Sequence, residues 1–390
     1  MNGYTHWIEI DLDALRHNLQ KVRELLPEGV KLLAVVKADA YGLGAGPVSR
    51  FWEEQGVDML GVTNLEEGMV LRQEGVTLPI LLFAPMLPHE APLVVEYGLT
   101  PTVDSPEAVQ ALKEEYRGEN IPVHIKVETG MGRTGLKPEQ VLPFCQYIKE
   151  GFPHIYLEGI FTHFAQAAQG DPYTKTQLRR FREVVGLLEN EGIRIPLKHV
   201  ANSVATLDIP DTHFDMVRVG TVLYGQHPPA LRNRIPLENP WQPKARILHI
   251  QELDKGDSVG YGRDYRVKKA TRIGVIPFGY AEGLGVSPIS RPKNITDLVK
   301  SLAKTVLAYW GVGPHALKAR HGKYVLPFVG RLGMQLSMIE IGDLPLQEND
   351  IVEVPLGRIT ANPDLPRVYL QDGQVIGERS FARKKGLVEA

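Results

Sequence analysis

The amino-acid sequence predicts an α/β protein: an N-terminal (β/α)8 barrel of the TIM type, followed by a smaller, mainly β C-terminal domain. Two observations predict the barrel. Eight short apolar runs alternate with helical patterns, and together they fill about the first 230 residues. A third observation predicts the second domain, because after Tyr224 the chain is rich in proline and then continues as short β runs separated by turn residues. We expect the domains to span residues 1–232 and 233–390.

The eight apolar runs are the predicted barrel strands. Most are continuously apolar and β-branched, as expected for parallel strands that are buried on both faces. They lie at 32–37, 60–63, 80–83, 101–103, 123–127, 159–163, 197–201 and 216–219. Helix-start signals lie between them, such as Asn64 and the Ser105-Pro106 pair. A doubly wound open sheet is the alternative, and the number of strand–helix units favours the barrel.

The composition of the chain limits which binding partners and which cellular compartment we expect. The chain of 390 residues is 43% apolar and 23% charged, which is typical of a globular protein. A net charge of only -2 gives no reason to expect a nucleic acid or a membrane as partner. Cys145 is the only cysteine, and residues 1–9 lack the features of a signal peptide. We therefore expect a cytoplasmic protein without a membrane span and without a metal site.

Lys37 ends the first predicted strand, within the run 34–42. At the carboxyl end of a barrel strand a side chain points into the active site. A lysine in apolar surroundings becomes nucleophilic and can form a Schiff base with an aldehyde cofactor. The strand alone leaves open the alternative that Lys37 extends to solvent.

Further motifs follow at the ends of the later strands and in the β domain. They lie at 128–135, 162–164, 199–203, 218–220, 260–262, 279–283 and 329–334. Together with 34–42, this ordered set resembles the alanine racemases over both domains. The resemblance implies pyridoxal 5'-phosphate as cofactor, a small amino acid, alanine above all, as substrate, and a homodimer with shared active sites.

The resemblance also implies two catalytic bases on opposite faces of the substrate Cα. Lys37 would hold the cofactor and act on one face, and Tyr261 of the other subunit would act on the second. A chain of hydrogen bonds would run from Tyr261 to His163 and on to Arg218, which would contact the pyridine nitrogen of the cofactor. Without its neighbours, Tyr261 would be interpreted as a packed aromatic residue on a strand rather than as a base. The alternative for Arg218 is a surface salt bridge.

The same resemblance assigns the remaining site residues. Those expected to bind the cofactor, besides Lys37 and Arg218, are Tyr41, Arg133, His163, Asn202, Ser203, Gly220 and Thr221. Arg133 and Met334 are expected at the substrate carboxylate. Lys126 matches a position that carries a carbamate in some members, although a solvent-facing lysine is the alternative. Ser203 is equally compatible with a plain helix cap.

The chain departs from the family pattern around the expected entrance. Ala168, Gln335 and Leu336 replace polar or acidic residues, no late tyrosine occurs near residues 361–363, and the segment 286–323 is longer than usual. A racemase with another or broader substrate, such as serine, is therefore one alternative, and a non-catalytic pyridoxal-phosphate-binding barrel protein is another. A decarboxylase of the same barrel class is disfavoured by Arg218, because those enzymes place a glutamate on the pyridine nitrogen.

Overall fold

The computed structural model describes residues 3–168, 170–228, 235–286, 292, 294–309 and 317–380. The chain divides into two compact units. The barrel unit comprises Asp13–Asn239, and the β unit combines Met1–Leu12 with Pro240–Ala390. This division differs from the single predicted boundary between residues 232 and 233, which falls in a stretch, 229–234, outside the described residues.

Eight parallel strands form the core of the barrel unit. In chain order they are β2 (Lys31–Val35), β3 (Met59–Val62), β4 (Ile80–Pro85), β5 (Thr100–Val103), β6 (Ile121–Lys126), β7 (Ile155–Phe161), β8 (Leu197–His199) and β9 (Met216–Val219). Strands β2 to β8 pair in chain order and β9 pairs with β2. Backbone hydrogen bonds from Asp215 to Lys198 (3.1 Å) and from Arg218 to Ala201 (3.0 Å) link the two ends of the sheet. Every predicted strand overlaps an observed one, and the predicted barrel is confirmed.

Helices lie before and between the barrel strands. They are α1 (Leu12–Arg23), α2 (Lys37–Tyr41), α3 (Ala45–Glu54), α4 (Leu65–Gln73), α5 (Ala91–Glu96), α6 (Pro106–Glu114), α7 (Pro138–Gly151), α8 (Pro172–Asn190) and α9 (Ser203–Asp208). Both predicted caps are present, because Asn64 accepts a hydrogen bond from the Glu67 amide and Ser105 accepts one from the Ala108 amide. The described helices include none that is both long and apolar enough to cross a bilayer.

The described residues of the β unit form a ten-stranded sheet, a two-stranded sheet and one α-helix. Its elements are β1 (His6–Asp11), β10 (Trp241–Arg246), β11 (His249–Leu253), β12 (Ser258–Val259), β13 (Tyr265–Arg266), β14 (Thr271–Ile276), α10 (Ile295–Tyr309), β15 (Lys318–His321), β16 (Tyr324–Val329), β17 (Ser337–Glu340), β18 (Ile351–Glu353), β19 (Arg367–Gln371) and β20 (Gln374–Arg379). The order in the large sheet is β11-β14-β17-β16-β15-β18-β10-β1-β19-β20. The predicted mainly β second domain is confirmed.

The first strand of the chain is an interior strand of this large sheet. Ile8 pairs with Pro243 of the antiparallel β10 on one side and with Arg367 of the parallel β19 on the other. Trp7, Ile8 and Ile10 are fully buried. The sequence prediction included this segment in the barrel domain, residues 1–232. Its pairing partners lie more than 200 residues later in the chain.

Candidate active site

A cavity of about 450 Å³ lies in the barrel unit, where the strands end. Its lining residues come from the last positions of the strands or from the loops that follow them, as in other barrels of this class. They are Val35, Lys37, Tyr41, Thr63, Phe83, Ala84, Lys126, Arg133, Thr134, Phe161, His163, Asn202, Ser203, Val204, Arg218, Gly220 and Thr221. All barrel residues that the sequence assigned to the site are therefore brought together around one cavity.

The lining of this cavity is strongly cationic. Lys37, Lys126, Arg133 and Arg218 contribute positive groups, and no aspartate or glutamate is found among the described lining residues. Basic groups in a concave, partly desolvated site attract anions more strongly than the same groups in open water. The cavity is therefore suited to a ligand with more than one negative charge.

Lys37 stands at the start of a left-handed turn. Strand β2 ends at Val35, two residues earlier than predicted, and residues 38–41 all have φ between 51° and 56°. Such a turn costs about 1–2 kcal/mol per residue for amino acids other than glycine. Glu67 stabilises it by accepting hydrogen bonds from the backbone amides of Ala38 (2.7 Å) and Thr63 (2.7 Å). The left-handed turn thus begins directly after Lys37.

Tyr41 ends the left-handed turn and lies against the loop after β9. A Cβ atom at Gly220 would be only 2.4 Å from the Tyr41 hydroxyl, so any other residue there would displace the tyrosine. The Tyr41 ring packs on Tyr224 with 4.8 Å between ring centroids. Burial raises the pKa of Tyr41 to about 12, which keeps its phenol protonated as a hydrogen-bond donor.

Arg218 of β9 is a buried cation at the cavity wall, with only 4% of its surface exposed. Its guanidinium donates to the carbonyl oxygens of His199 (2.6 Å) and Thr162 (2.7 Å) and contacts Nδ1 of His199 at 3.0 Å. Burial lowers the pKa of Arg218 to about 9, which leaves it charged at neutral pH. Among the described residues, its direct partners are all uncharged acceptors.

His163 follows β7 and also lines the cavity. Burial, together with the positive charges of Arg218, Arg133 and the two lysines, lowers the pKa of His163 to about 3. The imidazole is therefore neutral over the physiological range. The buried side chain of Gln177 holds the loop by donating to the His163 carbonyl (3.2 Å) and accepting from the Ala165 amide (3.0 Å).

The loop after β6 brings Arg133 to the cavity. Burial disfavours the ionised Glu128 carboxylate, but backbone amide hydrogen bonds outweigh burial and lower its pKa; two come from Gly130 (2.5 Å) and Arg133 (3.1 Å).

The amine of Lys126 also lines the cavity and donates to the Thr134 hydroxyl. Burial and the charges of Arg133 and Arg218 lower the pKa of Lys126 to about 8. An amine with this pKa is partly neutral near physiological pH, and the neutral amine is the form that reacts with carbon dioxide.

The loops after β8 and β9 meet at Ser203. Asn202 caps α9, because its side-chain oxygen accepts from the amides of Val204 (3.1 Å) and Ala205 (3.1 Å). Ser203 is therefore not the cap. Its hydroxyl accepts from the Gly220 amide (2.9 Å), which leaves the hydroxyl hydrogen available to the cavity beside Thr221.

Tyr261 and Met334 belong to the β unit. Tyr261 begins a short 3-10 turn that follows Gly260, whose φ of 74° only glycine adopts easily, and 75% of the tyrosine surface is exposed. Met334 is 58% exposed, and its carbonyl accepts from the Ala281 amide (2.9 Å). Both residues are thus mostly exposed.

Two family models match the chain, and they follow its two units. Residues 10–228 match the N-terminal domain of alanine racemase, and residues 241–365 match the C-terminal domain.

The chain belongs to the alanine racemase family.

Individual members of the family match over nearly the whole chain. It is 33% identical to alanine racemase 1 of Caldanaerobacter subterraneus subsp. tengcongensis, covering 96% of this chain and 97% of the relative. It is 38% identical to an alanine racemase of Methanococcus maripaludis, covering 100% and 95%.

Solved racemase structures also superpose. One from Clostridium difficile 630 has a TM-score of 0.85 at 31% identity and covers 98% of this chain and 100% of that one. One from Bacillus anthracis with bound L-Ala-P has a TM-score of 0.81 at 27% identity and covers 98% and 99%. The prediction of an enzyme of the racemase class is confirmed.

The structure also contains site residues that sequence reasoning missed. Arg218 was expected to connect to His163, but its side-chain partner in this racemase is His199, and beyond His199 lie His124 and Glu158. His124 could have been found, because it lies two positions before Lys126 on an apolar strand and therefore shares its face.

The low pKa of His163 predicts a specific pH dependence of stability. Unfolding restores its pKa to about 6.5, so the unfolded chain binds a proton that the folded chain excludes between about pH 6.5 and pH 3. Stability therefore falls as the pH falls through this window. Between neutral pH and about pH 5, the free energy of unfolding, measured in urea, should therefore fall by about 2 kcal/mol less for His163→Gln than for the wild type. His89→Gln, at an exposed position, is the control and should follow the wild type. Equal losses in all three proteins would show that His163 titrates normally in the folded state.

Proposed function

We propose that this chain is a pyridoxal-phosphate-dependent racemase that interconverts L- and D-alanine, with Lys37 and Tyr261 as its two bases. One observation carries the proposal. A lysine and a buried arginine face one cavity that contains four cationic side chains and no described carboxylate. The positive charge of this lining complements a phosphorylated cofactor together with an amino-acid carboxylate.

The residues present fit the cofactor. Tyr41, Ser203 and Thr221 offer hydroxyl donors to a phosphate, and the surrounding positive charge favours a dianion. Among the described residues, the Lys37 amine has no hydrogen-bond or ion-pair partner that would compete with a covalent bond. When bound, pyridoxal phosphate would supply an aldehyde carbon for attachment to an amine and an electron-withdrawing ring.

Each side chain then has a definite task. Lys37 binds the cofactor in the resting enzyme and, once released, moves a proton to or from one face of Cα. Arg218 would donate a hydrogen bond to the ring nitrogen of the cofactor and would leave it unprotonated, because a guanidinium that stays charged does not transfer its proton. Arg133 would pair with the substrate carboxylate.

The second base is Tyr261 of a partner subunit. Three quarters of the Tyr261 surface is exposed on the β unit, so the residue is accessible to a second copy of the chain. The proposed dimer has two equivalent sites, each with Lys37 from one subunit and Tyr261 from the other.

Two alternative functions, decarboxylation and non-catalytic binding of the cofactor, differ from racemisation in ways that can be tested. A decarboxylase of the same barrel class would place a glutamate against the pyridine nitrogen, whereas no acidic side chain lies among the described lining residues. A non-catalytic cofactor carrier would bind the cofactor but would not turn over any amino acid. Turnover by the purified protein therefore separates the carrier from the racemase.

The first prediction concerns the cofactor lysine. After incubation with pyridoxal phosphate and reduction with borohydride, peptide mass mapping should locate the cofactor on Lys37. Lys37→Ala should lose the label, whereas Lys198→Ala should keep it, because Lys198 lies on a barrel strand but pairs with Asp215 away from the cavity. A label on Lys126, the other lysine of the cavity, would refute this assignment.

The second prediction concerns the shared site. Lys37→Ala and Tyr261→Phe should each be inactive, and mixing them under conditions of subunit exchange should restore roughly one quarter of wild-type activity, because half of the dimers carry one intact site. The control mixes Lys37→Ala with the double variant, which yields no intact site. Verified mixed dimers that stay inactive would exclude sites built from two subunits.

The third prediction concerns substrate range. The missing entrance tyrosine should widen the approach to the site, and the loss of one phosphate donor should weaken cofactor binding by about 1–3 kcal/mol. We expect measurable kcat/KM for serine beside alanine, and little for the bulkier lysine. The alternative is that side chains of the segment 286–323, for example Tyr309 or Trp310, fill the space of the missing tyrosine. Trp310 and the side chain of Tyr309 lie outside the described residues. The assay should therefore be repeated with this segment shortened. Strict use of alanine by both proteins would show that the entrance does not set specificity.

A further inference from the structure

A row of hydrogen-bonded side chains leads away from Arg218 inside the barrel. Nδ1 of His199 lies 3.0 Å from the Arg218 guanidinium, and Nε2 of His199 lies 2.9 Å from Nδ1 of His124. Nε2 of His124 in turn lies 3.1 Å from a carboxylate oxygen of Glu158. Both histidines are fully buried, whereas 24% of the Glu158 side chain is exposed. The row therefore joins the cavity wall to a carboxylate near solvent.

The chemistry of the two ends fixes the direction of every bond in this row. A guanidinium only donates hydrogen bonds, and a carboxylate only accepts them. Nδ1 of His199 must therefore accept, so its Nε2 carries the hydrogen and donates to His124. His124 then also carries its hydrogen on Nε2 and donates to Glu158. Two neutral imidazoles supply the required hydrogens, and burial lowers the pKa of both, which favours that neutral state.

The backbone is arranged to aim Glu158 at this row. Strands β6 and β7 change register there, because Val123 pairs with Leu157 but His124 pairs with Gly159. Glu158 is the extra residue of this bulge, and bulges commonly redirect a side chain. Gly159 leaves room for the imidazole, since a Cβ atom there would lie 2.3 Å from the His124 ring.

We propose that Glu158 is a positioning residue that fixes the tautomers of His124 and His199 and thereby holds the Arg218 guanidinium in its orientation toward the cavity. Without the carboxylate, His124 is free to carry its hydrogen on Nδ1. That hydrogen would force His199 to place its own on Nδ1, where it would face the Arg218 donor. Arg218 would keep its carbonyl partners but lose its only side-chain acceptor among the described residues. The effect on catalysis rests on the proposed function, whereas the tautomers do not.

The tautomers can be measured directly on the full-length protein. Nitrogen-15 spectra of labelled histidine distinguish the two neutral forms, and single His→Gln variants assign the signals. We expect both His124 and His199 to carry the hydrogen on Nε2 in the wild type, with and without added pyridoxal phosphate. Glu158→Gln should keep this state through its amide oxygen, and Glu158→Leu should move hydrogen to Nδ1 of His199. Glu115→Leu is the control, because Glu115 is similarly exposed (28%) but pairs with Arg117.

Activity provides the second readout. Glu158→Leu should lower kcat roughly 10- to 100-fold, the range typical of groups that orient a functional side chain, with little change in KM, and Glu158→Gln should recover most of it. Hydrogen on Nδ1 of His199 in the wild type, or unchanged tautomers in a folded Glu158→Leu, would overturn the proposal. If the leucine variant does not fold, the wild-type spectrum decides. If the tautomers are as expected but the protein racemises no amino acid, the positioning role of Glu158 is supported and the proposed function is refuted.

Discussion

The site is organised by a positive charge that is buried where parallel strands end. A guanidinium without water is stable only if its donors are satisfied, and the carboxyl ends of parallel strands provide carbonyl oxygens that no neighbouring strand uses. The Arg218 guanidinium donates hydrogen bonds to the carbonyl oxygens of Thr162 and His199 in this way. Its side chain therefore connects the ends of β7, β8 and β9, and the position of the cation is set by the barrel backbone.

The lysine on the other side of the cavity is placed by a different device. Four consecutive residues in the left-handed region cost several kcal/mol if each costs about 1–2 kcal/mol. Such a conformation persists only where surrounding contacts determine it. Here the Glu67 carboxylate binds amides from two neighbouring strand ends, and Asp39 accepts a hydrogen bond from the Ala45 amide (2.8 Å). Strain next to Lys37 is thus balanced by local hydrogen bonds to two carboxylates.

The sequence predicted the features that depend on local patterns. The barrel strands were recognisable because parallel strands buried on both faces are continuously apolar. The motif residues of the barrel were recognisable because they follow those strands. The assignment of Tyr261 came from the family resemblance, since a tyrosine beside glycine in a β domain carries no chemical signature of its own.

The features that the sequence did not predict depend on long-range pairing or on backbone geometry. Strand β1 is defined by partners more than 200 residues away. The left-handed turn contains no glycine before Gly42, so the usual residue signal for positive φ was missing. Glu158 reaches His124 only because of a bulge, and a regular strand would have turned its side chain to the other face.

The position of Glu158 also explains how the cavity stays free of negative charge. A carboxylate placed directly on Arg218 would neutralise the guanidinium and weaken the field that attracts an anionic ligand. The neutral imidazoles of His199 and His124 lie between Arg218 and Glu158 and so separate the two charges. The hydrogen bonds along this row nevertheless all donate in the same direction, from Arg218 to Glu158. The carboxylate can stay hydrated because part of it is exposed, so its charge need not be buried. The barrel thus separates two requirements that usually conflict, a cationic cavity and a buried arginine that is held in one orientation.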